Sequence, residues 1–355
     1  MKFTALLLLP FALLGTDKTD LFTAGEEGYH HFRIPGIVVT AKGTLLAYVE
    51  ARRQQGDWAD IDVLMRRSTD GGRTWGRSLL LADFGEEAAN NPVAIASRNG
   101  VVHFLYCRHY AQCFDRRSSD DGLTFSEPVD ITATFERFRA DYDWNVIAIG
   151  PGHGIELRGG RLLAPVWLST GGRRHRPSVV SVIYSDDRGK TWERGEILGR
   201  DLVNPSETLA AELEDGRVML NIRNESPEKR RAVSFSRDGA TGWTKPRFVS
   251  ELVEPVCMAS LIKLPGKAGY VFANPDNLES STGRAVGADR KNVTVQWSAD
   301  GLKWTHKRVL EPGASGYSDL AAGSDGTVYC LYERGAGVAA VTLARFPVNW
   351  IREGK

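Results

Sequence analysis

The residues of this chain that could do chemistry are basic, acidic or phenolic, and each stands near an apolar, strand-like run. They are Arg33, Arg52, Arg223, Arg290, Asp57, Glu207 and Tyr317. Guanidinium groups brought close together repel one another and lose hydration, so they require carboxylate partners or an anionic ligand. Because a planar guanidinium donates paired hydrogen bonds that match a carboxylate, we infer a small ligand that carries a carboxylate.

These residues belong to a chain with an internal repeat. The pattern S-x-D-x-G-x-T-W occurs at residues 68–75 and 185–192, nearly unchanged at 118–125, and in degraded form at 236–243 and 298–304. A repeat of this kind indicates an array of similar units. Since Asp and Ser side chains cap turn amides and Trp packs between sheets, we interpret the motif as structural and not catalytic.

A second periodic signal, in a different phase, is a turn glycine followed by an apolar run. It occurs at intervals of 50 to 60 residues, at Gly43, Gly100, Gly160, Gly216, Gly266 and Gly326. Each unit holds short β-rich runs without a helical period. Repeats of this length are typical of propeller blades with four strands each. The sequence therefore predicts an all-β fold, a six-bladed β-propeller with four antiparallel strands per blade, in one domain over residues 16–355.

Alignment on the turn glycines predicts which residues share a place in the fold. Arg33 lies ten residues before its glycine, and Asn91, Glu207 and Tyr317 lie nine before theirs. The first strand of a blade lines the axis, so we expect these residues to converge at one channel mouth. The ends of the second strands and the connections to the third strands open on the same rim, with Arg52, Arg223, Asp57 and Arg290. The acidic turn motifs fall on the opposite rim.

Charge and the N-terminal segment limit the partners and the location. The net charge is +1 with both signs interspersed, which indicates neither a nucleic-acid nor a membrane partner. Residues 1–15 are typical of a signal peptide, because Lys2 precedes an apolar run from Phe3 to Leu14 that is too short to span a bilayer. We expect a secreted or periplasmic protein; the alternative is that this segment is an apolar N-terminal strand.

The cysteines and histidines give no indication of a cofactor. Cys107 and Cys113 flank one hairpin connection and could form a disulfide, which export permits although a core of this size does not need it. Cys257 falls in the axial phase of the fifth unit and could line the pocket. No Cys/His spacing suggests zinc, so we expect no metal and no other cofactor. We also expect a monomer.

The segment HFRIP at residues 31–35 resembles the F/Y-R-I-P signature of the exo-sialidase family. With the acidic turns, which resemble that family's Asp-boxes, the similarity covers nearly all of the chain after the N-terminal segment. It extends to GPGHG at 150–154, NPSE at 204–207, NIRN at 221–224, RKNVTV at 290–295 and GYSDL at 316–320. The resemblance implies a retaining exo-α-sialidase, a glycoside hydrolase that removes terminal sialic acids from glycans.

The same resemblance implies a role for each candidate residue. Three arginines would hold the sugar carboxylate: Arg33, Arg223 and Arg290. Tyr317 would be the nucleophile, Glu207 its partner and Asp57 the acid/base; sialidases are an exception among glycosidases in using tyrosine. Arg52 would contact the 4-hydroxyl. Asn91 stands where some bacterial relatives carry an Asp that reads the ring substituents, which leaves recognition of the 4-hydroxyl and the N-acyl group open.

Neighbouring residues leave several assignments open. The alternatives are Asp60 or Asp62 for Asp57, Arg53 for Arg52, and Arg284 for Arg290. Trp58 and Trp144 could form the floor of a glycan site or could simply pack in the core.

Other functions share these features. A glycosidase of the same fold could act on another 2-keto-3-deoxy acid, Kdn- or Kdo-like, because that sugar carries the same carboxylate. A non-catalytic glycan-binding propeller would lack the tyrosine, its glutamate partner or the acid, and all three are present. Transfer to another sugar in place of water depends on acceptor-side packing.

Overall fold

Antiparallel β-strands form most of the protein, and the computed structural model describes residues 15–283 and 286–354. After β1 (Asp17–Thr23), the first sheet consists of β2 (His31–Val39), β3 (Leu45–Arg52), β4 (Ile61–Ser68) and β5 (Leu79–Ala82). The second contains β6 (Ala89–Ala96), β7 (Val102–Arg108), β8 (Gln112–Ser118) and β9 (Val129–Asp130). Their apolar side chains are buried because each sheet is covered on both faces.

The third and fourth sheets follow in chain order. The third contains β10 (Val146–Ile149), β12 (Ile155–Glu156), β13 (Leu162–Ser169), β14 (Ser178–Ser185) and β15 (Glu193–Arg194). Between its first two strands, β11 (Gly152–His153) pairs in parallel with β6 of the second sheet. The fourth contains β16 (Thr208–Glu212), β17 (Val218–Ile222), β18 (Arg230–Ser236) and β19 (Arg247–Val253). The third unit therefore departs from the predicted antiparallel pattern, because Pro151 has no N–H with which to continue the ladder.

The last sheet has seven strands and joins the two ends of the described chain. Its strands are β20 (Ser260–Lys263), β21 (Tyr270–Pro275), β22 (Lys291–Ser298), β23 (His306–Ala322), β24 (Thr327–Arg334), β25 (Ala340–Pro347) and the N-terminal β1. The first part of β23 pairs with β22 and its second part pairs with β24, so one long strand belongs to two four-stranded halves. Since β1 pairs with β25, the N-terminal strand completes the C-terminal half.

Helices are few and short in the described residues. The α-helices are α1 (Thr132–Glu136) and α2 (Val348–Arg352), and 3-10 helices occur at Glu26–Gly28, Arg137–Ala140 and Pro265–Lys267. None of the helices in this part of the chain is long and apolar enough to cross a membrane. The predicted signal peptide lies, except for Gly15, outside the described residues.

The turns predicted from the two periodic signals occupy equivalent places in successive sheets. All six turn glycines have positive φ, from 61° at Gly266 to 92° at Gly160, a conformation that glycine adopts at little cost. The acidic motifs connect the third strand of a sheet to the fourth. In the second motif, Asp120 accepts hydrogen bonds from Ser118 Oγ (2.8 Å) and from Thr124 N (2.9 Å) and Oγ1 (2.5 Å). The threonine hydrogen bonds lower the pKa of Asp120 to about 2.

Each acidic motif also contacts the preceding sheet. A Cβ added at Gly189 would lie 2.2 Å from His103 Cε1 of the second sheet, so only glycine allows this approach. In the first sheet, Gly72 faces Leu343 of β25 in the same way, which continues the pattern from the last sheet to the first. Arginines repeat these contacts: Arg67 donates to Asp121 O, Arg117 to Gly189 O, Arg161 to Asp238 O and Arg345 to Gly71 O.

Replacing Asp120 with alanine should lower the unfolding free energy by about 1 kcal/mol, the usual value for one capping side chain. The backbone amide of Thr124 would lose its acceptor, although water can partly replace the carboxylate in this exposed turn. Thermal unfolding followed by circular dichroism would measure the effect. The exposed Glu228, replaced with alanine, serves as the control. Equal melting temperatures for the two variants would contradict a structural role for the motif.

Candidate active site

A polar cleft brings together seven of the eight predicted site residues. They are Arg33, Asp57, Asn91, Glu207, Arg223, Arg290 and Tyr317. These side chains come from strands and connections that are up to 284 positions apart in the chain, between residues 33 and 317. The convergence that the turn-glycine alignment predicts is therefore present in the fold.

Irregular strand pairing turns several of these side chains toward the cleft. The β2–β3 register shifts between Arg33 and Gly36, and the β6–β7 register shifts between Asn90 and Val93. A proline follows in both segments, and proline cannot donate to a ladder. Asn91 itself has a φ of 50°. Such bulges redirect side chains next to functional sites.

Tyr317, Glu207 and Arg223 form one buried hydrogen-bonded chain. The tyrosine hydroxyl donates to Glu207 Oε1 at 2.5 Å, and Arg223 Nη1 donates to the tyrosine oxygen at 2.9 Å and to Glu207 Oε2. Glu207 and Arg223 meet because they directly precede and follow the paired ends of β16 and β17. Burial raises the pKa of Tyr317, and Glu207 adds to this while Arg223 opposes it. The phenol is therefore protonated, with its proton directed at a carboxylate.

Two more arginines flank the tyrosine ring. The guanidinium carbons of Arg33 and Arg290 lie 5.0 and 4.8 Å from its centroid. Arg33 donates from Nε and Nη2 to the two oxygens of Glu333 at 2.9 and 3.1 Å. Glu333 also accepts from the backbone N–H of Tyr317 at 3.1 Å. Burial would raise the pKa of Glu333, but Arg33 outweighs it and lowers that pKa below its usual value.

The other arginines retain hydrogen-bonding capacity for a ligand. Arg290 donates to Val256 O at 3.2 Å and forms no ion pair with a carboxylate among the described residues. The Nε of Arg223 is buried and has no hydrogen-bond partner among the residues that the structure describes. Buried guanidinium donors without acceptors indicate an anion-binding site. Arg284, the alternative to Arg290, lies outside the described residues.

Asp57 lies at the edge of the cleft, with 37% of its side chain exposed. Arg52 Nη1 donates to its Oδ1 at 2.9 Å. Burial would raise the pKa of Asp57, but Arg52 and His175 lower it overall. Arg52 also binds Glu50 through Nε and Nη2, is only 2% exposed, and lies behind the cleft lining. The structure thus places Arg52 against Asp57 and not among the residues that line the cleft.

Asp60 and Asp62, the alternatives to Asp57 as the acid, belong to a separate network of hydrogen bonds and ion pairs. Asp62 accepts from Tyr29 OH at 2.6 Å and from Arg53 Nη2 at 2.9 Å, and Arg53 also pairs with Asp60 at 3.4 Å. None of these four residues lines the cleft.

Trp144 is 3% exposed and belongs to the core.

Several residues near the ligand space were not singled out from the sequence. Glu50 and Glu333 are fully buried carboxylates near the ends of second strands. An ionisable residue inside an apolar strand is unusual, and that signal could have identified both. Tyr110, Trp167 and His175 also line the cleft. Tyr110 and His175 lie outside the periodic pattern, whereas Trp167 belongs to the apolar run after Gly160.

The cysteines do not line the cleft. Cys257 is fully buried and packs in a small cluster with Ile34, Met258 and Tyr317. Cys107 and Cys113 face each other across β7 and β8 with their sulfur atoms 2.9 Å apart, as two thiols and not as a disulfide.

Comparison with known proteins places the chain in a family. Residues 43–330 match the BNR repeat-like domain family. A curated sialidase from Micromonospora viridifaciens is 32% identical over 94% of this chain and 54% of its own length. One from Bacteroides fragilis (strain YCH46) is 32% identical over 90% of this chain and 62% of its own length. The chain thus spans between half and two thirds of these relatives.

A solved structure supports the same assignment. The Hadza microbial sialidase Hz136 superposes with a TM-score of 0.80 at 28% identity, over 94% of this chain and 69% of that chain. The chain therefore belongs to the BNR repeat-like domain family, and it is similar over nearly its whole length to curated sialidases.

Proposed function

We propose that this protein is a retaining exo-α-sialidase that hydrolyses terminal sialic acids from glycans. The observation that carries this proposal is the contact of Arg33, Arg223 and Arg290 with one phenol, whose hydroxyl donates to Glu207. Three cations beside a neutral nucleophile fit a sugar whose reacting carbon already bears a carboxylate.

Each side chain has a task in this proposal. The three arginines hold the carboxylate and stabilise the flattened, positively charged transition state by fixing that anion beside it. The oxygen of Tyr317 forms the bond to the anomeric carbon. A carboxylate nucleophile at this position would be repelled by the substrate, whereas the phenol is uncharged. Removing its proton near pH 6 costs on the order of 5 kcal/mol, from a reference pKa of ~10, and Glu207 lessens this cost by accepting the proton during attack.

Asp57 completes the cycle. Its carboxyl group protonates the leaving glycosidic oxygen in the first step and removes a proton from water in the second. Its place at the exposed edge of the cleft suits a group that must reach both the leaving sugar and the solvent. Asn91 would contact the ring substituents from the cleft lining, and Arg52 would orient Asp57.

We further propose that residues 16–355 form one six-bladed propeller. The two halves of the seven-stranded sheet count as separate blades that share β23. The contact of Gly72 with Leu343 and the pairing of β1 with β25 support ring closure. The acidic motifs would be Asp-boxes. Residues 1–15 would direct the chain to secretion or the periplasm, where sialylated glycans are its partners.

The proposal is tested by incubating the protein with α-linked sialosides, measuring released sialic acid by chromatography and following its anomeric configuration by NMR. Matched glycosides of Kdn and Kdo test the alternative sugars in the same assay. Release of sialic acid with retained configuration at first formation supports the function. Cleavage of the Kdn or Kdo glycosides alone would replace the sugar and keep the mechanism, and no cleavage of any glycoside would overturn the proposed activity.

Replacing Arg290 with alanine should raise KM by about 10- to 100-fold, since a hydrogen bond to a charged group contributes ~1.5–3 kcal/mol. Steady-state kinetics on an aryl sialoside would measure it. Lys245, which is exposed, serves as the control when replaced with alanine. An unchanged KM would assign carboxylate binding to other residues, with Arg284 the first to test.

A further inference from the structure

His175 occupies an aromatic cage at the edge of the cleft. It lies on the connection between β13 and β14, and its ring stacks on Trp58 with centroids 4.8 Å apart and planes 22° apart. The rings of Tyr110 and Trp167 lie 5.2 Å away on its other sides. Three aromatic contacts fix the plane of the imidazole and therefore the directions of its two nitrogen atoms.

The two nitrogen atoms of His175 have different surroundings. Nδ1 lies 3.9 Å from Asp57 Oδ2, the carboxylate oxygen that Arg52 does not bind. Nε2 is buried and has no hydrogen-bond partner among the residues that the structure describes. A shift of less than 1 Å would bring Nδ1 within hydrogen-bond distance of Asp57. The imidazole is therefore positioned to exchange a proton with this carboxylate.

The charges around the pair favour an ionised Asp57. The other charged or titratable groups that face Asp57 are Arg52, Arg33, Glu50 and Tyr110. Those that face His175 are Glu207, Arg223 and Arg176. Cations near Asp57 stabilise its carboxylate, yet a general acid must carry a proton when the glycosidic bond breaks. A neighbouring imidazole provides a second site for that proton.

The pKa values of both groups are shifted in the same direction. Burial lowers the pKa of His175, and Asp57 opposes the change without reversing it. The pKa of Asp57 is also lowered, because Arg52 and His175 outweigh the effect of burial. The pair therefore holds its shared proton more weakly than the free groups would, so it carries that proton at acidic pH and donates it readily.

We propose that His175 and Asp57 share the proton that is delivered to the leaving oxygen, so that His175 is a positioning residue acting through Asp57. This inference rests on the proposed function. The proton passes from Asp57 to the glycosidic oxygen as the bond from that oxygen to the anomeric carbon breaks, while the bond to Tyr317 forms and the phenol proton moves to Glu207. In the second step water adds to the same carbon, the tyrosyl bond breaks, Glu207 returns its proton to the phenol oxygen, and the proton from water returns to the pair.

Leaving groups of different basicity separate this role from a structural one. His175→Phe keeps an aromatic ring in the cage and removes both nitrogen atoms. For a sialoside linked to another sugar, its kcat/KM should fall by about 10-fold or more, because departure of that group needs a proton. For a nitrophenyl sialoside, whose leaving group departs without help, the change should stay within about 3-fold. In the pH profile of kcat/KM for the sugar-linked substrate, His175→Phe should lose the part of the curve that depends on ionisation of the His175–Asp57 pair.

Equal losses for the two substrates would overturn the proposal, since they would indicate a structural defect. Unchanged activity on the sugar-linked substrate would also overturn it. His306→Gln, a change outside the cleft, serves as the matched control and should leave both rates unchanged.

A measurement on the unmodified cage covers the case in which His175→Phe does not fold. The titration of His175 would be followed by NMR in histidine-labelled protein, with and without Asp57→Asn. Loss of the carboxylate charge should lower the pKa of His175, because that charge favours the imidazolium. An unchanged pKa would overturn the coupling. If the wild-type protein cleaves neither sialoside, the proposed function fails, while this titration still reports whether the two groups interact.

Discussion

Tyr317→Phe should reduce kcat on an aryl sialoside by a factor on the order of 10³ or more, as expected when the nucleophile of a covalent mechanism is removed. Phenylalanine fills the same space, but it cannot form the bond to the anomeric carbon. The variant should still fold, because the ring packs as before and only the two hydroxyl hydrogen bonds, to Glu207 and from Arg223, are lost. Steady-state kinetics together with circular dichroism would measure both properties.

Covalent trapping gives this prediction an independent measurement. A 2,3-difluoro sialic acid should add one sugar to the wild-type protein, and peptide mass spectrometry should place it on Tyr317. The Phe variant should not acquire this mass. Tyr184, whose ring contacts Arg161 and lies outside the cleft, provides the matched Tyr→Phe control. Wild-type turnover by Tyr317→Phe, or labelling of another residue, would contradict the assignment of the nucleophile.

The positions of four cleft residues could be predicted from the sequence because a turn glycine follows the first strand of each unit at a nearly constant distance. Counting back from the turn glycines placed Arg33, Asn91, Glu207 and Tyr317 at equivalent starts of first strands, and all four line the cleft. Such a count depends only on local periodicity. It needs no knowledge of how distant segments pair.

Contacts between distant segments could not be predicted in this way. Glu333 binds Arg33 across 300 residues of sequence, and that contact depends on how the first and last sheets meet. His175 lies on a connection without a repeat signal. Arg52 is a different case: it stands two positions after Glu50 on one strand, so the two side chains share a face, and their ion pair could have been inferred.

The carboxylate of Asp319, which is not part of the cleft lining, should have a large effect on the stability of the fold. Asp319 in β23 is fully buried and accepts three hydrogen bonds from other strands. His153 Nδ1 and Ser260 Oγ lie 2.8 Å from its Oδ1, and Ile37 N lies 2.9 Å from its Oδ2. These partners belong to β11, β20 and β2. One side chain therefore connects four strands that are distant in sequence.

Asp319→Ala should reduce the unfolding free energy by about 3–5 kcal/mol, because it leaves a largely buried imidazole and a buried backbone N–H without their partner. Urea denaturation at pH 6 would measure the loss. Asp201→Ala, a change at an exposed aspartate, serves as the control. A change no larger than that of the control would mean that water replaces the carboxylate in the interior.

The ion pair between His153 and Asp319 predicts how the stability of the fold depends on pH. Burial alone would lower the pKa of His153, but Asp319 outweighs it and raises that pKa above the reference value of 6.5. The imidazolium therefore stabilises the fold fully below pH 6.5, and this contribution is lost as the pH rises through the raised value in the folded protein. Melting temperatures of the wild type should fall over that interval, whereas those of His153→Gln should not show this fall. The control His306→Gln changes a residue that does not contact Asp319, and it should show the same fall in melting temperature as the wild type. Parallel curves for all three proteins would show that His153 does not carry the charge that pairs with Asp319.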